Sequence, residues 1–490
     1  MECVMSDLSD LIGGGGGGSA LEATASGTLA DGSKVVINSD GTVSKIFEQT
    51  AALGTLGSFT TDNAMTLSAA YHEVEQKIVI VYENQSNGNC KAAVGSISGT
   101  TITFATPVTI SSNTTYSTAI VYDPVQNKMV IAYADGGNNN RGTAVVATVS
   151  GTTITLGTPV AFTTSSLYAP NTSAPTRLDA IYYATEQKVV INHILASNTN
   201  GGSIVGTVSG TSISFGTAVY FETGQCVQLS SSYNAAADKM FISYLSTSNY
   251  GKAIIGTVSG SVISFGTPLT LYSSSSDYII NTYHAAAQRN FVHYRPASGS
   301  GSTQSIYSVS GSTITGLNST SGPTNTQYAG LTYSANGEQV VFAYQNGNDS
   351  SRAYYDSYRI VNDVITAVTS SQLSTETSAL YLTPIYDPSS GNTLINFKTS
   401  TNPNGRSIVA QLEIPTNLTT ENYIGISDGA YADGATANVQ IVGSVDDAQS
   451  GLTAGQSYYV QEDGTIGTTP DTTSVFAGTA VSATKLIVKG

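Results

Sequence analysis

The chain has 490 residues, of which 10% are charged, and it carries a net charge of −15 from 18 basic and 33 acidic side chains. A nucleic-acid partner or an anionic membrane surface would require a basic face, so this charge balance argues against both. No apolar stretch reaches the ~18 residues needed to cross a bilayer, and the three cysteines lack disulfide or metal-site spacing. The abundance of Ser, Thr, Asn and Gly is typical of a β-rich extracellular or virion protein.

The N-terminal segment, MECVMSDLSDLIGGGGGGSA, differs from a secretory signal peptide. Acidic residues stand where the basic region would be, and a glycine run replaces a long apolar core. A helix over residues 6–12 would place Leu8, Leu11 and Ile12 on one face, and the glycine run would then act as a flexible tether. We interpret these three residues as part of a docking peptide that inserts into a larger assembly. The alternative is a frayed tail.

A hairpin recurs along the middle of the chain at intervals of about 50 residues. Its clearest copy is AIIGTVSGSVISFGTPLTL, which begins at Ala253 and alternates apolar and polar residues on both sides of a Ser-Gly turn. Glycine, Asn and Asp supply the positive φ that such tight turns demand. The turns are Ser98-Gly99, Ser150-Gly151, Ser209-Gly210, Ser259-Gly260 and Ser310-Gly311, with Asn362-Asp363 in a weaker copy.

A second pattern precedes each hairpin, in which an apolar strand ends at a tyrosine and a polar turn leads into another strand. The seven anchor tyrosines are Tyr71, Tyr122, Tyr182, Tyr233, Tyr283, Tyr333 and Tyr386, each followed eleven residues later by Tyr, His or Phe. Each copy thus contains four short strands, the signature of a propeller blade. A stacked solenoid is the competing interpretation, but it favours shorter repeats and atypical capping units. We predict an all-β fold with a seven-bladed β-propeller.

The ends of the chain complete this organisation. The seventh copy lacks a fourth strand, which residues 41–60 could supply, closing the ring and removing two open sheet edges. The hairpin sequence SGLTAGQSYYVQEDGTIG near the C-terminus aligns with SGTLADGSKVVINSDGTV near the N-terminus. The predicted domains are residues 1–40 (docking peptide, glycine linker and short hairpin), 41–415 (the propeller) and 416–490 (a small all-β module).

Residues suited to catalysis follow the repeats instead of interrupting them. Two histidines directly follow anchor tyrosines, and the other two lie at or next to the aromatic position eleven residues after an anchor. The acidic residues fall mainly in the turns after the anchors. A catalytic carboxylate pair should occur once, near one axis, and the sequence has neither paired metal-binding histidines nor a calcium loop. We therefore expect no catalytic residues, no metal and no cofactor, and a protein that is not an enzyme.

The loops between strands suggest one binding face. Two connections per copy are short and share one face of the ring, whereas the other two, such as ADGGNNNRG and LASNTNGGS, are irregular and share the opposite face. The position five residues before each anchor varies, which suits stacking and hydrogen bonding to a sugar. We predict ligand binding there by Arg177, Gln228, Tyr278, Tyr328 and Tyr381, with Thr66 and Ser117 at the remaining two positions. The alternative is that these are ordinary rim residues.

The C-terminal sequence beginning NYIGISDGAYADGATANVQIV resembles a module at the ends of tail-fibre-like and other structural proteins of marine tailed bacteriophages. The opening SDLIGGGGGG, followed by LADGSKVVINSDGTV, resembles the starts of similar proteins. The resemblance covers the two ends only. It implies a virion component that contacts a host surface. We therefore expect a protein on the tail or capsid surface, extracellular after lysis, that binds other virion proteins through its ends. We also expect it to form homo-oligomers in the assembly and to bind host-surface carbohydrate through the rim residues. A glycan-degrading propeller enzyme and a bacterial surface or filament protein are the alternatives.

Overall fold

The computed structural model describes residues 20–168, 177–297, 301–400, 404–473 and 475–489. The predicted docking residues Leu8, Leu11 and Ile12 lie outside these ranges. Within them, no helix is both long and apolar enough to cross a membrane. The chain divides into two compact units: Ala51–Leu412, which we call the propeller unit, and Met1–Thr50 with Glu413–Gly490, which we call the terminal unit.

The propeller unit is built from antiparallel sheets that follow one another along the chain. The first four blades contain Gly57–His72, Lys77–Asn84, Cys90–Ser98 and Thr101–Phe104; Thr115–Asp123, Lys128–Asp135, Arg141–Ser150 and Thr153–Leu156; Leu178–Tyr183, Lys188–Ile194, Gly201–Ser209 and Ser212–Phe215; and Gln228–Asn234, Lys239–Leu245, Tyr250–Ser259 and Val262–Phe265. The remaining three contain Leu269–His284, Arg289–Pro296, Ser302–Ser310 and Thr313–Gly322; Thr326–Ser334, Gln339–Asn346, Arg352–Val361 and Val364–Gln372; and Ala379–Asp387, Asn392–Thr399 and Asn404–Gln411.

Short additional elements lie at the outer edges and in the loops of these sheets. Val108–Ser111, Val160–Ser166 and Val219–Glu222 pair with the third strands of blades 1, 2 and 3, as the beginning of Leu269–His284 does in blade 4. Two short 3₁₀ turns, Gly136–Asn138 and Thr247–Asn249, connect second and third strands.

The sheets form a ring. The first strand of each blade contacts the first strand of the next blade, and the first strand of blade 7 contacts that of blade 1. Apolar side chains fill the space between neighbouring sheets, as between blades 1 and 2 or between blades 7 and 1. The β-propeller prediction is confirmed, and the strand pairing of the described residues is consistent with the predicted seven blades.

Two recurrent turns set the blade geometry. The fifth residue after each anchor tyrosine has a positive φ, at Gln76, Asn127, Gln187, Asp238, Gln288, Glu338 and Gly391. The glycines of all five Ser-Gly turns also have positive φ, between 55° and 60°, which glycine adopts without the steric cost that a Cβ imposes. The turn after the anchor therefore connects strands 1 and 2 in every blade, and the second turn connects strands 3 and 4 on the same face in blades 1 to 6.

Polar side chains of the turns after the anchors connect successive blades. In three blades a side-chain oxygen accepts a hydrogen bond from the backbone N–H of the Ser-Gly turn in the next blade: Glu75 from Gly151 at 2.8 Å, Gln126 from Gly210 at 3.4 Å and Glu186 from Gly260 at 3.0 Å. The ion pair between Arg289, six residues after its anchor, and Asp363 connects the corresponding turns of blades 5 and 6. The recurrence of charged residues in these turns thus has a structural reason.

The ring closes through the N-terminal part of the propeller unit. Gly57, Ser58 and Thr60 pair with Ser407, Arg406 and Gly405 of blade 7, and Ala52–Leu53 pairs with the end of the same strand. The predicted supply of a closing strand by residues 41–60 is thus observed, at the C-terminal end of that range. The strand then continues into blade 1, so one segment belongs to both the last and the first blade.

The terminal unit corrects the predicted domain boundaries. Ala20–Thr24, Lys34–Ile37 and Val43–Lys45 form one sheet with Tyr423–Ser427 and Thr436–Gln440. Residues 1–40 and 416–490 are therefore not separate domains, and residues 41–50 and 413–415 belong with them instead of with the propeller. The physical reason is backbone pairing: the N-terminal strands are completed only by strands that follow the propeller in the chain.

The second sheet of the terminal unit repeats the first. It contains Val445–Asp446, Leu486–Val488, Val475–Ala480, Ser457–Val460 and Ile466–Gly467, in the corresponding order. Each sheet has a hairpin with an Asp-Gly turn, in which the aspartate carboxylate accepts hydrogen bonds from the N–H and hydroxyl of a threonine two residues later. These pairs are Asp40 with Thr42 and Asp463 with Thr465. A Cβ at Gly425 or Gly478 would lie about 2 Å from a carbonyl oxygen of the adjacent strand. The alignment of the two chain ends thus reflects two copies of one small module, the first of which contains the propeller as an insertion in its sequence.

Candidate functional site

A cavity of about 520 Å³ lies at the rim of the propeller unit, where residues of blades 3 to 6 meet. We call it the rim pocket. It is lined by Tyr168, Arg177, Gln225, Val227, Gln228, Leu245, Asn249, Ser276, Asp277, Tyr278, Arg295, Gln327 and Tyr328. Loops that precede first strands, and the Thr247–Asn249 turn between a second and a third strand, contribute to its wall. The rim pocket therefore lies on the irregular-loop face.

Four of the five predicted ligand-binding residues meet in the rim pocket: Arg177, Gln228, Tyr278 and Tyr328. The fifth, Tyr381, does not line it. Its ring instead packs edge-on against Tyr328, with the centroids 5.8 Å apart, and Tyr328 is in turn 6.4 Å from Tyr278. The three tyrosines of blades 5, 6 and 7 thus form a row, with Tyr381 behind the part of the row that faces the pocket.

A β-bulge with a left-handed residue occurs at this position in blades 1, 2, 6 and 7. In blades 6 and 7 the pairing of the first and second strands shifts beside Tyr328 and Tyr381, which have φ values of 48° and 55°. Thr66 and Ser117 occupy the same bulge in blades 1 and 2, with φ values of 48° and 49°. A left-handed backbone at a non-glycine residue costs on the order of 1–3 kcal/mol and concentrates at functional sites. The bulge also redirects the side chain relative to its neighbours.

Gln228 contributes to the ring as well as to the pocket wall. Its side-chain oxygen accepts a hydrogen bond from the backbone N–H of Ile279 at 3.1 Å, which joins the first strands of blades 4 and 5, and only 1% of the residue is exposed. A buried amide that is already engaged in the ring is a poor candidate for ligand recognition. Gln228 thus forms part of the pocket wall, and its role in ligand binding stays a prediction.

Two arginines give the rim pocket its electrostatic character. Arg295 forms an ion pair with Asp277 and lies over Tyr278, with its Cζ 5.0 Å from the ring centroid. Arg177 lies over Tyr168 at 3.9 Å, a contact typical of a cation–π interaction, and burial lowers its pKa. The Nε atoms of both arginines and the hydroxyl of Ser276 have no hydrogen-bond partner among the described residues.

The hydroxyls of Tyr278 and Tyr328 remain protonated donors at neutral pH, because both pKa values are raised. Burial raises the pKa of Tyr278 to about 12 and also raises the pKa of Tyr328. Each ring thus presents an apolar face and a hydroxyl at one edge. The sequence did not single out Tyr168, Arg295, Asp277 or Ser276, because they lie in irregular loops or next to repeated positions, where no offset from the anchors identifies them.

A second charged cluster lies outside the rim pocket. Burial raises the pKa of Glu83 to about 7, partly offset by Lys398, whose ammonium donates to the side-chain oxygen of Asn63 at 3.0 Å and lies 5.8 Å from the Tyr381 ring. A carboxyl group with this pKa could act as a general acid. Across the described ranges, no group of three or more His, Cys, Asp or Glu side chains could hold a metal ion.

The fold and the rim pocket define a β-propeller with a polar, tyrosine-lined recess on one face. No protein-family model and no curated protein matches the chain. Among solved structures, it is similar to a protein from Lactobacillus plantarum (12% identity, 62% of this chain and 83% of that one, TM-score 0.44). It is also similar to a triple arginine-to-alanine mutant of AofleA from Arthrobotrys oligospora (8% identity, 66% of this chain and 88% of that one, TM-score 0.38). A third similar structure is the NanB sialidase from Streptococcus pneumoniae (11% identity, 72% of this chain and 69% of that one, TM-score 0.43).

Proposed function

We propose that this protein is a non-enzymatic binding protein whose propeller holds a carbohydrate in the rim pocket. The observation that carries the proposal is the meeting of Tyr278, Tyr328 and Tyr168 around one recess with hydrogen-bonding groups between them. Its volume of about 520 Å³ falls within the range of ordinary small-molecule sites. Aromatic faces that stack on a sugar ring, combined with a few fixed polar groups, are a suitable lining for such a ligand.

The wider role that we propose is that of a virion structural protein of a tailed phage, either tail-fibre-like or a surface decoration. Its support is the resemblance of the two ends of the chain to such proteins. In this role the sugar belongs to the host surface, and the N-terminal peptide or terminal unit binds other virion proteins and further copies of this chain. A neighbouring virion protein is the other candidate partner for the irregular-loop face. Immunogold imaging of intact particles with an antibody against residues 416–490 separates this role from that of a bacterial surface or filament protein.

Replacing Tyr328 with alanine is expected to weaken glycan binding by about tenfold or more, because it removes one stacking face and its hydroxyl. The matched control is Tyr220→Ala, since Tyr220 is 41% exposed and does not line the rim pocket. A glycan array identifies the ligand, and calorimetry on the hit measures both variants. Equal affinities for the two variants would show that the sugar does not occupy the rim pocket.

The alternative function, glycan degradation, is favoured by one observation, the raised pKa of Glu83. A reducing-sugar assay on every glycan that binds separates this alternative from simple binding. Release of product by the native chain, together with its loss in Glu83→Gln, would overturn the non-enzymatic proposal. Binding without product release supports it.

A further inference from the structure

Arg177 is a buried cation for which the described residues supply no anion. Only 5% of the residue is exposed, yet it takes part in none of the six ion pairs among the described residues. Its Nε has no hydrogen-bond partner there, and its guanidinium lies over the face of Tyr168. The sequence of the preceding segment, APNTSAPT at residues 169–176, contains no acidic residue.

Arg295, the other arginine of the rim pocket, has the acidic partner that Arg177 lacks among the described residues. Arg295 lies in the same pocket but is paired with Asp277, so those two charges compensate each other. A buried charge without a partner is costly, and proteins seldom retain one unless it is paired or has a ligand. In a chain of net charge −15, the wall of the rim pocket thus carries one uncompensated positive charge. This arrangement suits an anionic group from outside the chain.

The guanidinium also favours a particular shape of anion. Its planar set of donors matches the paired oxygens of a carboxylate or a sulfate, to which it can donate two parallel hydrogen bonds. Ser276 provides a second unpartnered group in the same wall, a hydroxyl that can donate to the same anion or to a sugar oxygen. Tyr278 and Tyr328 also line the pocket and are placed to contact the sugar ring.

We propose that the rim pocket selects acidic saccharides, with Arg177 binding the carboxylate or sulfate of the sugar while the tyrosines contact its ring. This inference rests on the proposed carbohydrate-binding function and adds the chemical class of the ligand. Carboxylate-bearing and sulfate-bearing sugars share the chemistry that Arg177 recognises, so the experiment includes both.

The test measures the affinity of the full chain for alginate oligosaccharides and carrageenan oligosaccharides, and for their carboxyl-reduced and desulfated counterparts. Arg177→Met is expected to weaken binding of the acidic ligand by about tenfold to a hundredfold, the range for a lost hydrogen bond to a charged group. Arg177→Lys should retain part of the affinity, because it keeps the charge but loses the planar set of donors. Arg141→Met is the matched control, since Arg141 lies outside the rim pocket and in no ion pair among the described residues.

Melting temperature without sugar provides a second measurement. Arg177→Met should melt at or above the temperature of the native chain, because the uncompensated charge is gone. A much lower melting temperature for both Arg177 variants would assign Arg177 to structure and overturn the inference.

The outcomes separate the two proposals. Equal binding of acidic and neutral oligosaccharides, still weakened by Tyr328→Ala, overturns the inference and leaves the carbohydrate-binding function standing. Acidic binding that is insensitive to Arg177→Met also overturns the inference. If no saccharide of either kind binds in a manner that depends on the rim pocket, both proposals fail. Comparison of the alginate and carrageenan arms then identifies which acidic group the protein prefers.

Discussion

Replacing Phe59 with alanine is expected to lower the free energy of unfolding of the propeller unit by about 3–5 kcal/mol, the cost of removing a buried aromatic side chain. Phe59 is 2% exposed and lies in the strand that pairs with blade 7 before it enters blade 1. Its ring contacts Tyr82 and Phe104 edge-on, with centroids 5.5 and 6.0 Å away. The substitution therefore weakens an apolar contact where the two ends of the ring meet.

Gly405 makes this site intolerant of rearrangement. A Cβ at Gly405, on the blade 7 strand, would lie 2.1 Å from the Phe59 ring, so the ring rests directly on the backbone of its partner strand. Loss of the ring should leave a cavity that the strands cannot easily fill. Urea unfolding followed by tyrosine fluorescence measures the change, because the chain has 29 tyrosines and no tryptophan.

The control for Phe59→Ala is Tyr220→Ala, which removes an exposed ring and should change stability by no more than about 0.5 kcal/mol. Hydrogen exchange adds a local measurement: amides of Asn404–Gln411 should exchange faster in Phe59→Ala, whereas those of blade 4 should change less. Equal unfolding free energies for Phe59→Ala and Tyr220→Ala would contradict the assignment of Phe59 to ring closure.

Much of the propeller could be predicted from the sequence because each blade repeats the same local signals. The turns after Tyr71 and Tyr122 need a left-handed residue at a fixed offset, and the Ser-Gly turns need a glycine, so the pattern survives while the side chains vary. The domain boundaries were harder to predict. The pairing of Ala20–Thr24 with Thr436–Gln440 joins segments on either side of the propeller, and no local pattern records such a pair. The one available signal was the match of the two Asp-Gly hairpins.

The candidate site could likewise be predicted only in part from the sequence. Its location followed from an offset of five residues before the anchors, which identified Tyr278 and Tyr328 because every blade has a residue there. Its chemistry depended on partners in other blades, which an offset cannot identify. The backbone N–H of Ile279 donates to the side-chain oxygen of Gln228, and Asp277 pairs with Arg295, whereas Arg177 has no ion-pair partner among the described residues.

The stability of the native propeller is expected to fall as pH falls from about 6.5 to about 4, and His193→Phe is expected to remove a large part of this loss. Burial lowers the pKa of His193 to about 4, and neither ring nitrogen has a well-placed hydrogen-bond partner among the described residues. The unfolded chain binds a proton at this histidine below pH 6.5, whereas the folded chain does not until about pH 4. Acid therefore favours unfolding in this interval.

Phenylalanine already occupies the position of another blade that corresponds to His193. The corresponding position of blade 7 is Phe397, which is fully buried in the same strand of its sheet, so an aromatic ring without titratable nitrogens fits this position of the blade. Between pH 6.5 and 4.5, His193→Phe should lose about 2–3 kcal/mol less stability than the native chain, at 1.36 kcal/mol for each pH unit of differential protonation. Urea unfolding at the two pH values gives the difference directly.

Other buried groups titrate in the same range, so only the difference between variants assigns the effect. The pKa of His293 is lowered by burial to about 3 and adds acid sensitivity of the same sign. The pKa of Glu83 is raised to about 7, so its contribution is present at low pH, is lost as pH rises through 7, and opposes that of the histidines. Neither contribution changes between the native chain and His193→Phe, since neither residue is altered. The reciprocal variant, Phe397→His, should acquire acid sensitivity, and an unchanged pH dependence in both variants would show that this recurring aromatic position does not control the acid stability of the ring.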